Sequence, residues 1–68
     1  MYRVGVDVGG TFTDLTLFDE TSAAISYHKV ASTPNDPSLA IEQGVGELLD
    51  REGVSAADVV YLGHGTTV

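Results

Sequence analysis

The chain begins with a clean alternation of apolar and polar positions. Val4, Val6 and Val8 are separated by Arg3, Gly5 and Asp7, a period of two that predicts a strand over residues 3–8 with the valines on one face. β-Branched side chains suit that pleated surface. Gly9 and Gly10 break the strand. Residues 12–18 resume it, with Phe12, Leu15, Leu17 and Phe18 bulky and Thr13 and Thr16 β-branched. Apolar residues at both parities predict a strand covered on both sides. Two strands joined by so short a turn are antiparallel. Asp19, Glu20, Thr21 and Ser22 form a polar turn, and residues 24–30, "AISYHKV", mix apolar and charged side chains as an edge strand does.

The period then changes. Ile41, Val45, Leu48 and Leu49 recur at helical spacing and form one apolar stripe. In the preceding loop, "STPNDPS" (32–38), Asp36 is a good N-cap and Pro37 fits the first helical position, where its missing N–H costs nothing. The helix runs to about residue 52 and stops at Gly53. Gly44 and Gly46 inside it cost up to about 1 kcal/mol each relative to alanine, an expense that close approach to a sheet would offset. "SAAD" (55–58) offers a short capped turn. "VVYLG" (59–63) is a continuous apolar run of the kind found in buried parallel strands. The fold class is therefore α/β, in the order β-β-β-α-β: antiparallel hairpins, a helical crossover and a parallel fourth strand, which is half of a ribonuclease-H-like sheet. The chain stops at "HGTTV", immediately past that strand. Residues 1–68 are accordingly expected to be an N-terminal fragment of a larger domain, truncated on its C-terminal side.

Composition narrows the classes of function. The formal net charge is −7 at pH 7, with ten acidic residues against three basic ones. That argues against the clustered Lys and Arg of a nucleic-acid grip and disfavours an anionic membrane surface. No apolar run is long enough for a transmembrane helix, and there is no signal-peptide core. Cysteine is absent, so disulfides and thiolate metal sites are excluded. The expected localisation is cytoplasmic, with Met1 as the start of the protein.

Two stretches carry candidate chemistry. In "DVGGTFTD" (7–14), glycines let the backbone take positive φ and let a ligand approach with no Cβ in the way. Successive N–H groups in such a turn form an anion-binding nest, Thr11 and Thr13 add hydroxyls, and Asp7 at a strand end offers a carboxylate to Mg²⁺. The same composition also fits a plain β-hairpin with a tight Gly-Gly turn. There is no P-loop consensus and no Rossmann fingerprint. In "GHGTTV" (63–68), just after the fourth strand, His64 can exchange a proton near neutral pH, and Thr66 and Thr67 can bind phosphate or substrate oxygens beyond a strand's carboxyl end. A solvent-facing turn explains those residues equally simply. His28 reads as a surface residue, Asp19 and Glu20 as a solvated turn, and Glu42, Glu47, Asp50 and Glu52 as the wet face of the helix.

Taken together, "RVGVDVGGTFTDLTLFDE", "KVASTPNDPSLAIEQGV" and "VVYLGHGTTV" resemble the N-terminal region of the hydantoinase A and 5-oxoprolinase family over essentially the whole chain. The resemblance implies the actin, sugar kinase and heat-shock ATPase superfamily. It also implies an ATP-dependent hydrolase that opens cyclic amides of the hydantoin or 5-oxoproline type. Related family members are ATPase subunits of acetone and acetophenone carboxylases, and other proteins of this fold bind ATP without such catalysis. ATP and Mg²⁺ or a similar divalent metal are the implied cofactors. A cyclic amide or ketone is the implied substrate, and a hydantoinase B-type subunit the implied partner. Position by position, Gly9, Gly10, Thr11 and Thr13 match the first phosphate loop. Asp7 would orient the metal, and Asp14, where many superfamily relatives carry Lys or Arg, is a second metal candidate. His64, Thr66 and Thr67 match the stretch that lines the catalytic cleft. The fragment alone is expected to be inactive.

Overall fold

The computed structural model describes the backbone of residues 1–66 and the side chains of residues 1–60. Its elements follow the expected order: β1 (Tyr2–Val8), β2 (Phe12–Asp19), β3 (Ile25–Ala31), α1 (Pro37–Glu52), a single 3₁₀ turn (Ala56–Asp58) and β4 (Val59–Thr66). They build one mixed α/β sheet of strand order β3-β2-β1-β4, in which β1 and β4 are parallel and the other pairs antiparallel. The long crossover through α1 is what a parallel β1–β4 pair requires.

The alternation along β1 and β2 becomes the core. Val4, Val6, Val8, Leu15 and Leu17 face α1 and are buried with Val30 of β3 and Ala40, Val45, Leu48 and Leu49 of the helix. Tyr2, Ile41, Val54 and Val59 close the margins of this cluster. The helix is bounded as its sequence predicts. The Asp36 carboxylate accepts the Ser38 N–H at 3.2 Å and the Ser38 hydroxyl at 2.6 Å. Pro37 occupies the first turn, and Gly53 ends the helix in the left-handed region at φ 69°. The Val54 N–H then returns to the Leu49 carbonyl at 2.9 Å, as in a Schellman-type stop. Gly44 lies against β2: a Cβ there would collide with the Leu15 side chain.

Several expectations are corrected. Strand β4 does not end at Gly63 but runs to Thr66, so His64, Gly65 and Thr66 belong to the sheet and not to a loop after it. The reason is that β1 continues to Val8 and gives the added residues a partner strand. Among the described residues α1 covers only one face of the sheet, so β2 is not enclosed on both sides: Phe12 is 47% exposed. Gly46 makes no close approach, since nothing lies within 4 Å of a Cβ built there. Gly9 and Gly10 do not take positive φ, because the only glycine in that region among the described residues is Gly53. His28 is half-buried instead of free on the surface. Its Nε2 lies 2.8 Å from Glu47 Oε1, tying the edge strand β3 to the helix.

Candidate functional site

The hairpin between β1 and β2 closes where the Gly9 N–H donates to the Phe12 carbonyl at 3.0 Å, leaving Gly10 and Thr11 at the tip. The favoured two-residue hairpin turns, types I′ and II′, demand positive φ at their first central position. Neither Gly10 nor Thr11 provides it. The tip is instead held from outside by Ser32, at the end of β3. The Ser32 N–H donates to the Thr11 carbonyl at 2.9 Å, and its hydroxyl donates to the Gly9 carbonyl at 2.7 Å. Thr13 Oγ1 lies 2.9 Å from the same hydroxyl oxygen. In the sequence Ser32 reads as part of the "STPNDPS" loop. No local signal marks it: the β2–β3 register, which pairs Phe12 with Ala31, brings Thr11 opposite Ser32 one step further on.

The strand register also brings the two acidic candidates together. Asp7 and Asp14 are directly opposed across the β1–β2 pair, both exposed on the face away from α1. Cβ atoms of such partners lie about 4.5–5.5 Å apart, and like charges there repel. Asp14 has Lys29 beside it, opposed on β3, with Nζ 3.8 Å from Oδ1. Lys29 also lies over the Phe12 ring, 5.1 Å from its centroid. Asp7 has no ion-pair partner among the described residues. A divalent cation between the two carboxylates would relieve their repulsion. The donor set suits Mg²⁺, which commonly takes one or two carboxylates and completes its shell with water and phosphate oxygens. It does not form an all-protein cage, since no three His, Cys, Asp or Glu side chains converge among the described residues.

The phosphate-loop candidates divide. Gly10 and Thr11 are exposed at the tip, Gly9 is half-buried, and a Cβ on Gly10 would meet nothing within 4 Å. A ligand can therefore approach this backbone closely. Thr13 is fully buried on the helix side, and its hydroxyl belongs to the Ser32 bracket. Beside the tip lies a shallow apolar pocket of about 160 Å³, lined by Val8, Gly9, Gly10, Ser32, Thr33, Pro34 and Pro37.

Strand β4 carries the second motif alongside the first. Its parallel register pairs His64 with Val6, Gly65 with Asp7 and Thr66 with Val8. The register skips a residue, passing from Tyr61 opposite Val4 to Gly63 opposite Gly5. This bulge at Leu62 puts Gly65, and not His64, opposite Asp7. The carboxyl ends of β1 and β4 reach the same edge of the sheet, where ligands of open α/β sheets gather. Thr67 lies outside the described residues, as do the side chains of His64 and Thr66.

The fold is a mixed α/β sheet that brings the glycine hairpin and the second motif to one end of neighbouring strands. Comparison with known proteins identifies the family. The family model of the hydantoinase/oxoprolinase N-terminal region matches residues 3–68, and the chain belongs to that family. It is similar to the caprolactamase subunit alpha of Pseudomonas jessenii, with 41% identity over 71 aligned positions that cover 98% of this chain and 10% of that protein. It is also similar to an uncharacterized protein of Methanocaldococcus jannaschii, with 39% identity over 67 positions that cover 98% of this chain and 9% of that protein. The chain thus spans about a tenth of the length of these curated relatives. Among the described residues no helix is long and apolar enough to cross a membrane.

Proposed function

We propose that this chain forms the phosphate- and metal-binding edge of an ATP-dependent hydrolase that opens cyclic amides. The observation that carries the proposal is the register of β1 against β2 and β4. It sets Asp7 opposite Asp14, and it lays the "HGT" segment beside "VDV", so that both motifs end at one edge of the sheet. A β-hairpin serving only as a connection has no use for two opposed carboxylates next to an open glycine tip.

In this reading Asp7 and Asp14 would hold Mg²⁺, and the N–H groups of Gly10 and Thr11, with the Thr11 hydroxyl, would present donors to the phosphates, while Gly9, whose own N–H closes the hairpin on Phe12, lets the ligand approach without a Cβ in the way. Bound Mg-ATP supplies an activated phosphoryl group for an otherwise unreactive amide oxygen. The protein's share is to position and to balance charge. Two carboxylates facing a polyphosphate without a cation would repel it, so the acids and the metal are required together. Thr13 supports the loop from beneath. By family correspondence His64, Thr66 and Thr67 are the candidates for the substrate side of the site. The caprolactamase relative is named as a subunit, which supports work alongside another subunit, and a hydantoinase B-type subunit is the partner this reading assigns.

The test is ATP hydrolysis by the protein carrying this chain, with and without its partner subunit, in the presence of N-methylhydantoin, 5-oxoproline, caprolactam or acetophenone. Stoichiometric ATP use with ring opening is expected. Asp7→Asn should lower turnover by roughly 10²-fold, the scale for loss of one electrostatic contact at a reacting phosphoryl group. Ring opening that consumes no ATP would refute the reading, and ATP use coupled to a ketone and bicarbonate would move the protein to the carboxylase branch.

A further inference from the structure

Resting on the reading of the hairpin as a phosphate grip, we propose that Ser32 is its positioning residue: by holding the carbonyls of Gly9 and Thr11 it fixes the direction in which the Gly10 N–H is presented to a phosphate oxygen.

The argument starts from the peptide plane. In a trans peptide the C=O and the following N–H point in opposite directions, and the chain has no cis peptide among the described residues. The Ser32 hydroxyl draws the Gly9 carbonyl toward the β3–α1 loop at 2.7 Å. The N–H of the same plane, that of Gly10, is thereby turned away from Ser32. The Ser32 N–H holds the Thr11 carbonyl at 2.9 Å, so a second plane of the tip is fixed from the same residue. The turn's own chemistry does not do this, because the tip lacks the positive φ of the self-matching hairpin turns.

Proton counting completes the bracket. A serine hydroxyl has one proton, and here it goes to the Gly9 carbonyl. In the 2.9 Å contact between Thr13 Oγ1 and Ser32 Oγ, Thr13 is therefore the donor. The chain of bonds runs Thr13 O–H to Ser32 Oγ and Ser32 O–H to Gly9 O. Thr13 has no proton left for a phosphate, so its part is to hold Ser32. The far side of the bracket is anchored as well. Thr33 Oγ1 donates to the Asp36 carbonyl at 2.6 Å and accepts the Ala40 N–H at 3.1 Å. Adjacent residues, Ser32 and Thr33, thus join the glycine tip to the first turn of α1.

The experiment uses the ¹⁵N-labelled chain with Ser32→Ala, Ser32→Thr and Ser32→Cys. Without ligand, Ser32→Ala should shift the Gly10 amide resonance and speed its exchange with solvent, and Ser32→Thr, which keeps both donors, should restore it. With Mg-ATP, Ser32→Ala should weaken binding by about tenfold, the loss of one ordinary hydrogen bond. Ser32→Thr should bind like the parent chain. Core signals of Leu15 and Leu48 monitor the fold. If Ser32→Ala does not fold, Ser32→Cys, similar in size but a weak donor, takes its place. An unchanged Gly10 amide and unchanged affinity in the donor-deficient variant would overturn the proposal. If the parent chain itself binds no Mg-ATP, the phosphate reading loses its support. The Ser32 bracket then stands on the ligand-free Gly10 amide, and no change there overturns it.

Discussion

Gly44 and Gly46 sit two positions apart on α1, in opposite surroundings. A methyl group on Gly44 would collide with the Leu15 side chain, which is itself 1% exposed and packed in the core. Overpacking of this kind costs about 1–3 kcal/mol, more than the helix-propensity gain of up to about 1 kcal/mol. Gly44→Ala is therefore expected to lower the urea midpoint, whereas Gly46→Ala, with open space around it, should raise it by the full propensity gain. Equal shifts in the two variants would show that the helix does not lie on Leu15. The acidic pair is also a matter of single residues. Asp7 and Asp14 are legible in the sequence as two acids flanking a turn, symmetric about its tip. Their direct opposition follows only when the turn is known to close at Gly9 and Phe12. Thr13 shows the opposite outcome. Its hydroxyl looks like a ligand donor in the sequence, but odd positions of β2 face the core, and Thr13 is buried with them.

At the scale of elements, α1 is held at its ends and along one side. Asp36→Ala removes the acceptor for both the Ser38 N–H and the Ser38 hydroxyl and should cost about 1 kcal/mol by urea denaturation. Along its side the helix meets β3 through a polar strip. His28 pairs with Glu47, Gln43 donates to the other Glu47 oxygen at 3.0 Å, and Arg51 donates to the Tyr27 carbonyl at 2.7 Å. Ser26 donates to Glu52 at 3.0 Å. Hydrogen bonds from His28 and then Gln43 hold the Glu47 carboxyl below its ordinary range. In the β2–β3 turn the Thr21 N–H, followed by the Ser22 hydroxyl and N–H, lowers Asp19 in the same sense. A carboxylate whose folded-state pKa is depressed contributes stability above its unfolded value and loses it as pH falls through the folded one. Stability should therefore be level near neutrality and decline below about pH 4, where ordinary carboxylates protonate. Glu47→Gln should flatten part of that decline. Both groups are solvent-exposed, so the effect is small and fades in salt. An acid limb identical in the variant would remove Glu47 from the account.

For the whole molecule, the sheet is covered by α1 on one face and carries Phe12, Ile25 and Tyr27 exposed on the other. The Asp7–Asp14 pair and Lys29 lie on that open face. On the proposed reading, the described residues would supply phosphate and metal ligands from a single sheet. Phosphoryl transfer depends on holding donor and acceptor in line, which calls for groups on the far side of the nucleotide as well. The 68-residue chain by itself is expected to hydrolyse no ATP, and magnesium-dependent turnover by the purified chain would contradict this. The relatives' lengths agree with such a division of labour, since the matched region is about a tenth of each.

Periodicity and end signals are local properties, and the sequence alone determined what depends on them. The two-residue alternation of β1, the 3.6-residue stripe of α1, the Asp36 and Gly53 caps and the order β-β-β-α-β all rest on neighbours within a few positions. The resemblance of "DVGGTFTD" and "HGTTV" to one family was equally visible there. What only the tertiary structure decided concerns contacts between residues far apart in the chain. Ser32 meets Gly9 across 23 positions and Thr13 across 19, and the bulge in β4 sets Gly65 instead of His64 opposite Asp7. Strand register and the covering of one sheet face are outcomes of packing the whole chain at once. A one-residue slip in register moves every side chain to the other face, so no local pattern fixes which donor ends beside which acid.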